Sequence, residues 1–365
     1  MFIELLLGIL VRRLLSVFLL TLLSVWSPSS VIAAQAGIDW TSQTAATNNA
    51  WTGVTYGNGL FVAVSRDGTS NRVMTSPDGI TWTSRTSATD NPWYGVTYGN
   101  GLFVAVSIRE SGTRNRVMTS PDGTTWTSRP SAADNNWFSV AFGAGTFVAV
   151  SEDGNANQRV MYSTDNGTSW NIATSTGNDA WQSITYGNGL FVAVATNAVM
   201  TSLDGINWTP RTAAAANSWL GVTYGNGLFV AVAENAVMTS PDGITWTSRT
   251  AAAPNQWRNV TYGNGLFVAV SSTGTGNRVM TSPDGITWTS QTSAANNFWS
   301  GITYGNGTFV AVSTDDAQRV MISLTTTPIT PIAAPVPTLS EWTQLLLALM
   351  VMTIIGWHFH RERSY

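Results

Sequence analysis

The chain has 365 residues, of which only 10% are charged, with a net charge of −3 and no cysteine. Disulfide frameworks and thiol chemistry are therefore excluded. All 17 basic residues are arginine and none form a run, which argues against a nucleic-acid partner. A charged fraction far below the ~25% of ordinary soluble proteins means a surface built from Ser, Thr, Asn and Gly.

The first 36 residues read as an export signal. Arg12-Arg13 precede an apolar stretch over 14–26, and Ala34-Gln35-Ala36 supplies a small-residue cleavage site, with cleavage expected after Ala36. An uncleaved anchor is the alternative. Residues 37–44 (Gly-Ile-Asp-Trp-Thr-Ser-Gln-Thr) come next and align with residues 79–86, the end of the first complete repeat.

That repeat, Trp-x-x-Val-Thr-Tyr-Gly-Asn-Gly-Leu-Phe-Val-Ala-Val with small variations, begins at Trp51, Trp93, Trp137, Trp181, Trp219, Trp257 and Trp299. A period near 40 carrying several short strands is the signature of a propeller or solenoid. Each unit predicts four strands, over 51–56, 60–65, 72–76 and 80–86 in the first copy. Gly57-Asn58-Gly59 makes a tight hairpin between the first two strands, because Asn-Gly tolerates positive φ. Leu60-Phe61-Val62-Ala63-Val64 is apolar without alternation, as in a strand covered on both faces. Pro77-Asp78-Gly79 turns the chain into strand four.

The seventh copy has a third strand at 319–323 and then dissolves into Thr325-Thr326-Thr327-Pro328. Residues 37–44 are the fourth strand it lacks. The fold expected is all-β: a seven-bladed propeller over 37–324, closed by its N-terminal strand and flanked by terminal hydrophobic helices. The repeat tryptophans, identical in every blade, are expected to pack between blades rather than to stack on sugars.

Loops between strands two and three vary most, and they shrink to Thr196-Asn197 and Glu234-Asn235 in the fourth and fifth blades. Variation confined to one face of a repeat protein marks a binding face. The ligand-binding candidates are Asp67, Arg109, Glu110, Arg114, Glu152, Asp153, Asp315 and Asp316. Solvated loop charge is the plainer reading of each one. No spacing points to a metal or cofactor, and both histidines, His358 and His360, lie in the tail.

Ser163-Thr164-Asp165-Asn166-Gly167-Thr168-Ser169-Trp170 resembles the Asp-box of bacterial-neuraminidase-repeat propellers. Shorter versions surround Asp78, Asp122, Asp204, Asp242 and Asp284. All six aspartates are expected to lock turns rather than to catalyse. The resemblance raises sialidase-like hydrolysis, which in that family uses an arginine triad, a Tyr–Glu nucleophile pair and an Asp acid. Here the arginines and tyrosines mostly fall at repeat-equivalent places, so no catalytic set is assigned. Asp-box propellers also resemble photosystem-assembly proteins, which implies a periplasmic assembly factor as a further alternative.

Residues 325–336 form a Thr/Pro/Ala-rich linker. Pro337-Thr338-Leu339-Ser340-Glu341-Trp342, an apolar run over 345–357 and an arginine-containing tail follow. This segment (337–365) resembles the IPTL-CTERM sorting domain of exported Gram-negative proteins. The resemblance implies an exosortase-like processing partner, a membrane span and a tail that is cytoplasmic before processing. A plain membrane anchor is the alternative. The function expected is an exported, non-enzymatic binding or adhesion module for a protein or glycan.

Overall fold

A computed structural model of the chain describes residues 35–108, 115–174, 177–315 and 318–324. The expected signal up to residue 34, the linker from residue 325, the sorting segment and the terminal helices lie outside the described residues. Among the described residues no helix is long and apolar enough to cross a membrane.

The described residues form seven four-stranded antiparallel sheets, one per repeat. Blade one runs from an inner strand Trp51–Gly57 through Leu60–Ser65 and Val73–Ser76 to an outer strand Thr83–Arg85. The outer strand is shorter than expected. Its first residues stay in the turn, where Ile80 and Thr81 donate their amides to Asp78 Oδ1 and Trp82 Nε1 donates to the Gly79 carbonyl.

Blade seven is the composite the repeat demanded. Its sheet contains Thr41–Gln43 from the N-terminal side paired with Val320–Leu324, in the register Thr41–Ile322, Ser42–Met321 and Gln43–Val320. Pairing removes the open edge that an incomplete blade would leave. The ring therefore closes within the last blade, as in a propeller and not a solenoid.

The continuous apolar strand two works as a two-sided wall. Phe61, Ala63 and Met74 pack with Val310, Val312 and Ile322 of blade seven. Val62, Val64 and Val73 face the other way, onto Trp93 and Phe103 of blade two. The core is thus the set of layers between blades. All seven repeat tryptophans are buried in it, at no more than 1% exposure, so none is available for sugar stacking.

A second device joins the blades. The glycine ending each inner strand lies against the aromatic ring of the next blade, so that a Cβ on Gly57 would overlap Tyr98 and one on Gly305 would overlap Tyr56. Each such ring also tilts onto its own blade's phenylalanine, as Tyr56 does on Phe61 at 4.7 Å between centroids. The hairpin itself is made by the two residues that follow. Asn58 and Gly59 take positive φ values of 49° and 75°, the conformation that Asn-Gly favours.

Candidate functional site

The aspartates at the turn into strand four act as structural locks. Asp242 Oδ1 accepts the Ile244 amide at 2.8 Å, the Thr245 amide at 2.9 Å and the Ser240 hydroxyl at 2.9 Å. Amide donors favour the charged carboxylate, and the bonds from Thr245 and Ile244 hold Asp242 below the usual carboxylate range. At Asp165 and Asp204 burial pushes the other way, but the combined bonds, led by Ser169 and Asn207 respectively, bring each to about 2. The longer turn around Asp165 keeps the same plan, with Gly167 donating to Ser163 Oγ and Trp170 Nε1 to the Gly167 carbonyl.

On the opposite face, the acidic candidates that are described do not converge. Asp67 Oδ1 accepts the Ala50 amide at 2.6 Å and Asp153 Oδ1 accepts the Asn136 amide at 2.6 Å. Asp315 does the same for Phe298, and Thr273 takes the role for Gln256 in blade six. These side chains tie the loop between strands two and three to the backbone just before the inner strand. Glu152 reaches instead to Gln182 Nε2 at 3.4 Å. Arg109, Glu110, Arg114 and Asp316 lie outside the described residues.

The arginines before strand three clamp each blade to the next. Arg116, with a fully buried side chain, pairs with Asp134 at 2.6 Å. Arg278 donates to the Asn297 carbonyl, and Arg319 carries the same link across the seam to the Asn49 carbonyl. In blades four and five Ala198 and Ala236 replace the arginine, and backbone bridges Thr196–Ser218 and Glu234–Gln256 stand in for the clamp. Arginines of the outer strands are held too: Arg85, Arg129, Arg211 and Arg249 each donate Nε to a threonine hydroxyl on the strand beside them.

The positions left over are the two between Trp and Val at the start of each inner strand. They read Thr52-Gly53, Tyr94-Gly95, Phe138-Ser139, Gln182-Ser183, Leu220-Gly221, Arg258-Asn259 and Ser300-Gly301. Residues from every one of these pairs line a cavity of about 300 Å³ at the central channel, together with Arg66, Phe298 and Thr314. These positions went unread in the sequence, although the signal was there: the first of the two changes in every copy, inside a frame that hardly varies.

The mouth is chemically lopsided. Tyr94 and Phe138 pack on each other at 4.6 Å with planes tilted by 56°. The Arg258 guanidinium lies 4.7 Å over the Phe298 ring, and its Nε donates to Ser272 Oγ. Arg258 lines the cavity, and burial pulls its pKa below the usual arginine value. Arg66 adds a second, exposed cation, whereas among the described residues no Asp or Glu lines the cavity. The rim is uneven as well. Loops between strands two and three run over 66–72, 152–159 and 272–278 in blades one, three and six, but comprise only Thr196 and Asn197, or Glu234 and Asn235, in blades four and five. In a seven-membered ring, blade one stands opposite the junction of blades four and five, so Arg66 faces this notch across the mouth.

A closed seven-bladed propeller with one asymmetric, cation-lined mouth is the class that fold and site define. The family model described as the DUF6242 beta propeller domain matches residues 120–261. No curated protein matches the chain in sequence. Among solved structures, a catalytically inactive virginiamycin B lyase from Staphylococcus aureus with quinupristin superposes with a TM-score of 0.68 at 12% identity, covering 79% of this chain and 99% of the lyase. YCF48 bound to D1 peptide gives a TM-score of 0.61 at 15% identity, over 83% of this chain and 100% of that one. YCF48 from Cyanidioschyzon merolae gives 0.59 at 14% identity, over 80% and 99%. At such identities the shared feature is the fold.

Proposed function

We propose that this protein is an exported, non-enzymatic binding module that takes a carboxylate-bearing segment of a partner protein into the channel mouth. The observation that carries the reading is Arg258, a half-buried guanidinium in the wall of a cavity that has no Asp or Glu among its described lining residues. A carboxylate meets such a fork with two parallel charge-assisted hydrogen bonds. Tyr94 and Phe138 pack on each other and Arg258 covers one face of Phe298, which reduces the aromatic surface a sugar ring would need. A peptide is favoured over a glycan for that reason, and YCF48, a propeller of the same fold, has been solved with a peptide bound.

Sialidase-like hydrolysis, the enzymatic alternative, lacks support at this mouth. The repeat arginines are occupied as blade clamps, and among the described residues no Glu or Asp lines the cavity beside Tyr94. The turns around Asp78 and its equivalents are read as Asp-box turns in this proposal, serving stability alone. Residues 337–365 are read as the sorting and membrane segment that delivers the propeller to the envelope.

The test is capture of peptides and glycans by the exported protein and by Arg258→Gln. Peptides with a free carboxylate are expected to bind, with at least tenfold loss in the variant. Capture of glycans alone, or turnover of a fluorogenic sialoside, overturns the reading. Cell fractionation with and without residues 337–365 tests delivery: the shortened chain is expected to leave the membrane fraction.

A further inference from the structure

The seam contains a turn assembled from both ends of the chain. In an ordinary blade, Ser76 Oγ receives the Gly79 amide at 2.8 Å and Trp82 Nε1 donates to the Gly79 carbonyl. In blade seven the serine is Ser323, whose Oγ receives the Gly37 amide at 2.7 Å, and Trp40 Nε1 donates to the Gly37 carbonyl at 3.0 Å. The two halves of one turn thus lie 286 residues apart.

The missing member is the aspartate. In blade one, Asp78 Oδ1 accepts the Ile80 and Thr81 amides and the Ser76 hydroxyl. At the seam these three donors have equivalents in Ile38, Asp39 and Ser323, and all of them converge on the backbone carbonyl of Gln35, at 3.0, 3.2 and 3.4 Å. A peptide oxygen does here what a side-chain carboxylate does in the other turns. Ala36, between them, is 7% exposed and packs with Val268, Trp299 and Phe309.

From this we infer that the exported chain is cut between Ala34 and Gln35, two residues before the site that Ala34-Gln35-Ala36 suggests. The inference rests on the export reading above. A cut after Ala36 would remove the Gln35 carbonyl and the buried Ala36 methyl. It would also turn the Gly37 amide, which makes a buried hydrogen bond to Ser323 Oγ, into a charged ammonium at a residue whose Cα packs beside Leu266, Val268 and Phe309. A cut before Gln35 leaves every one of these bonds in place. It puts the new ammonium 2.9 Å from the exposed Asp39 Oδ2, which already accepts the Gln35 N–H. Ala34 supplies the small residue immediately before such a cut, with the aliphatic Ile32 in place of the second small residue of the Ala-x-Ala pattern.

The experiment is N-terminal sequencing and intact-mass analysis of the full-length gene product recovered after export. A chain beginning at Gln35, free or cyclised to pyroglutamate, is the expected result. A chain beginning at Gly37 overturns the inference while leaving the export reading intact. A chain that still begins at Met1 overturns both, because no signal was removed. A purified chain beginning at Gly37 serves as the second measurement. It is expected to melt lower than one beginning at Gln35, and equal melting overturns the role given to the Gln35 carbonyl.

Discussion

The two faces of the ring are made by the same seven blades, yet they treat repetition in opposite ways. On the turn face, the Asn-Gly hairpins and aspartate locks recur almost unchanged, and every described lock spends its carboxylate on its own turn. On the loop face, spacing changes from blade to blade, clamps are swapped for backbone bridges, and the inner-strand pairs differ in all seven copies. Repetition marks positions that hold the blade. Departure from repetition marks the positions free to recognise something else.

The largest effect expected from breaking this arrangement is at the seam. Removing residues 35–44 takes away the ladder with Val320–Leu324, the Ala36 contact and the Trp40 ring, which lies 6.5 Å from Phe309. Burial and pairing of that extent amount to about 4–6 kcal/mol. Melting should fall by roughly 10–15 °C, and unchanged melting would mean that the ring does not depend on closure. Gly57→Ala is the next step down. Its methyl would enter the Tyr98 ring, and overpacking of this kind costs about 1–3 kcal/mol, readable as a lower denaturant midpoint.

The aspartate locks predict a pH profile. Asp165 and Asp204 titrate near 2 in the folded chain, below the value of 3.8 for a free Asp side chain, and Asp78, Asp122, Asp242 and Asp284 are lowered as well. As pH falls, the unfolded chain takes up these protons first. The stabilisation is therefore complete above about pH 5 and is lost from about pH 4 down to pH 2. Melting temperature should be flat from neutrality to about pH 5 and decline below it. Asp242→Asn should cost about 1 kcal/mol at neutral pH and make the acid decline shallower. An equally steep decline in the variant would remove Asp242 from the account.

How much of this was legible in the sequence follows from what a residue letter can encode. The period, the complementary ends and the continuous apolar strand two each report backbone geometry or two-sided burial, and blade number and closure follow from them. Gly57 was read as part of the hairpin because its real constraint, the Tyr98 ring, belongs to the next repeat. Strand four was read too long because an aspartate lock gathers the two amides after the turn, a bond that hydrophobic pattern does not register. Asp67 and Asp153 looked like free loop charges, since a carboxylate capping an amide and one facing water are the same letter. The Gln35 carbonyl was invisible for a stricter reason: a backbone oxygen has no residue identity at all. The channel mouth could have been found by aligning the copies against one another and reading the one position after the tryptophan that never agrees.

The smallest expected effect on stability is the one that sharpens the contrast most. Arg258→Met keeps an apolar stem against Phe298 but removes the guanidinium. The lost contact with the ring and the lost bond to Ser272 cost about 1 kcal/mol together, and relief of a half-buried charge acts in the other direction. Melting should stay within about 0.5 kcal/mol of the parent protein, in the range of a surface substitution. Binding of a carboxylate-bearing peptide should nevertheless fall at least tenfold, and filling the notch by replacing Thr196 and Asn197 with the sequence of 272–278 should weaken it as well. If Arg258→Met instead destabilises the ring as an aspartate lock does, Arg258 belongs with the blade architecture, and the division between a structural face and a recognising one fails at its central residue.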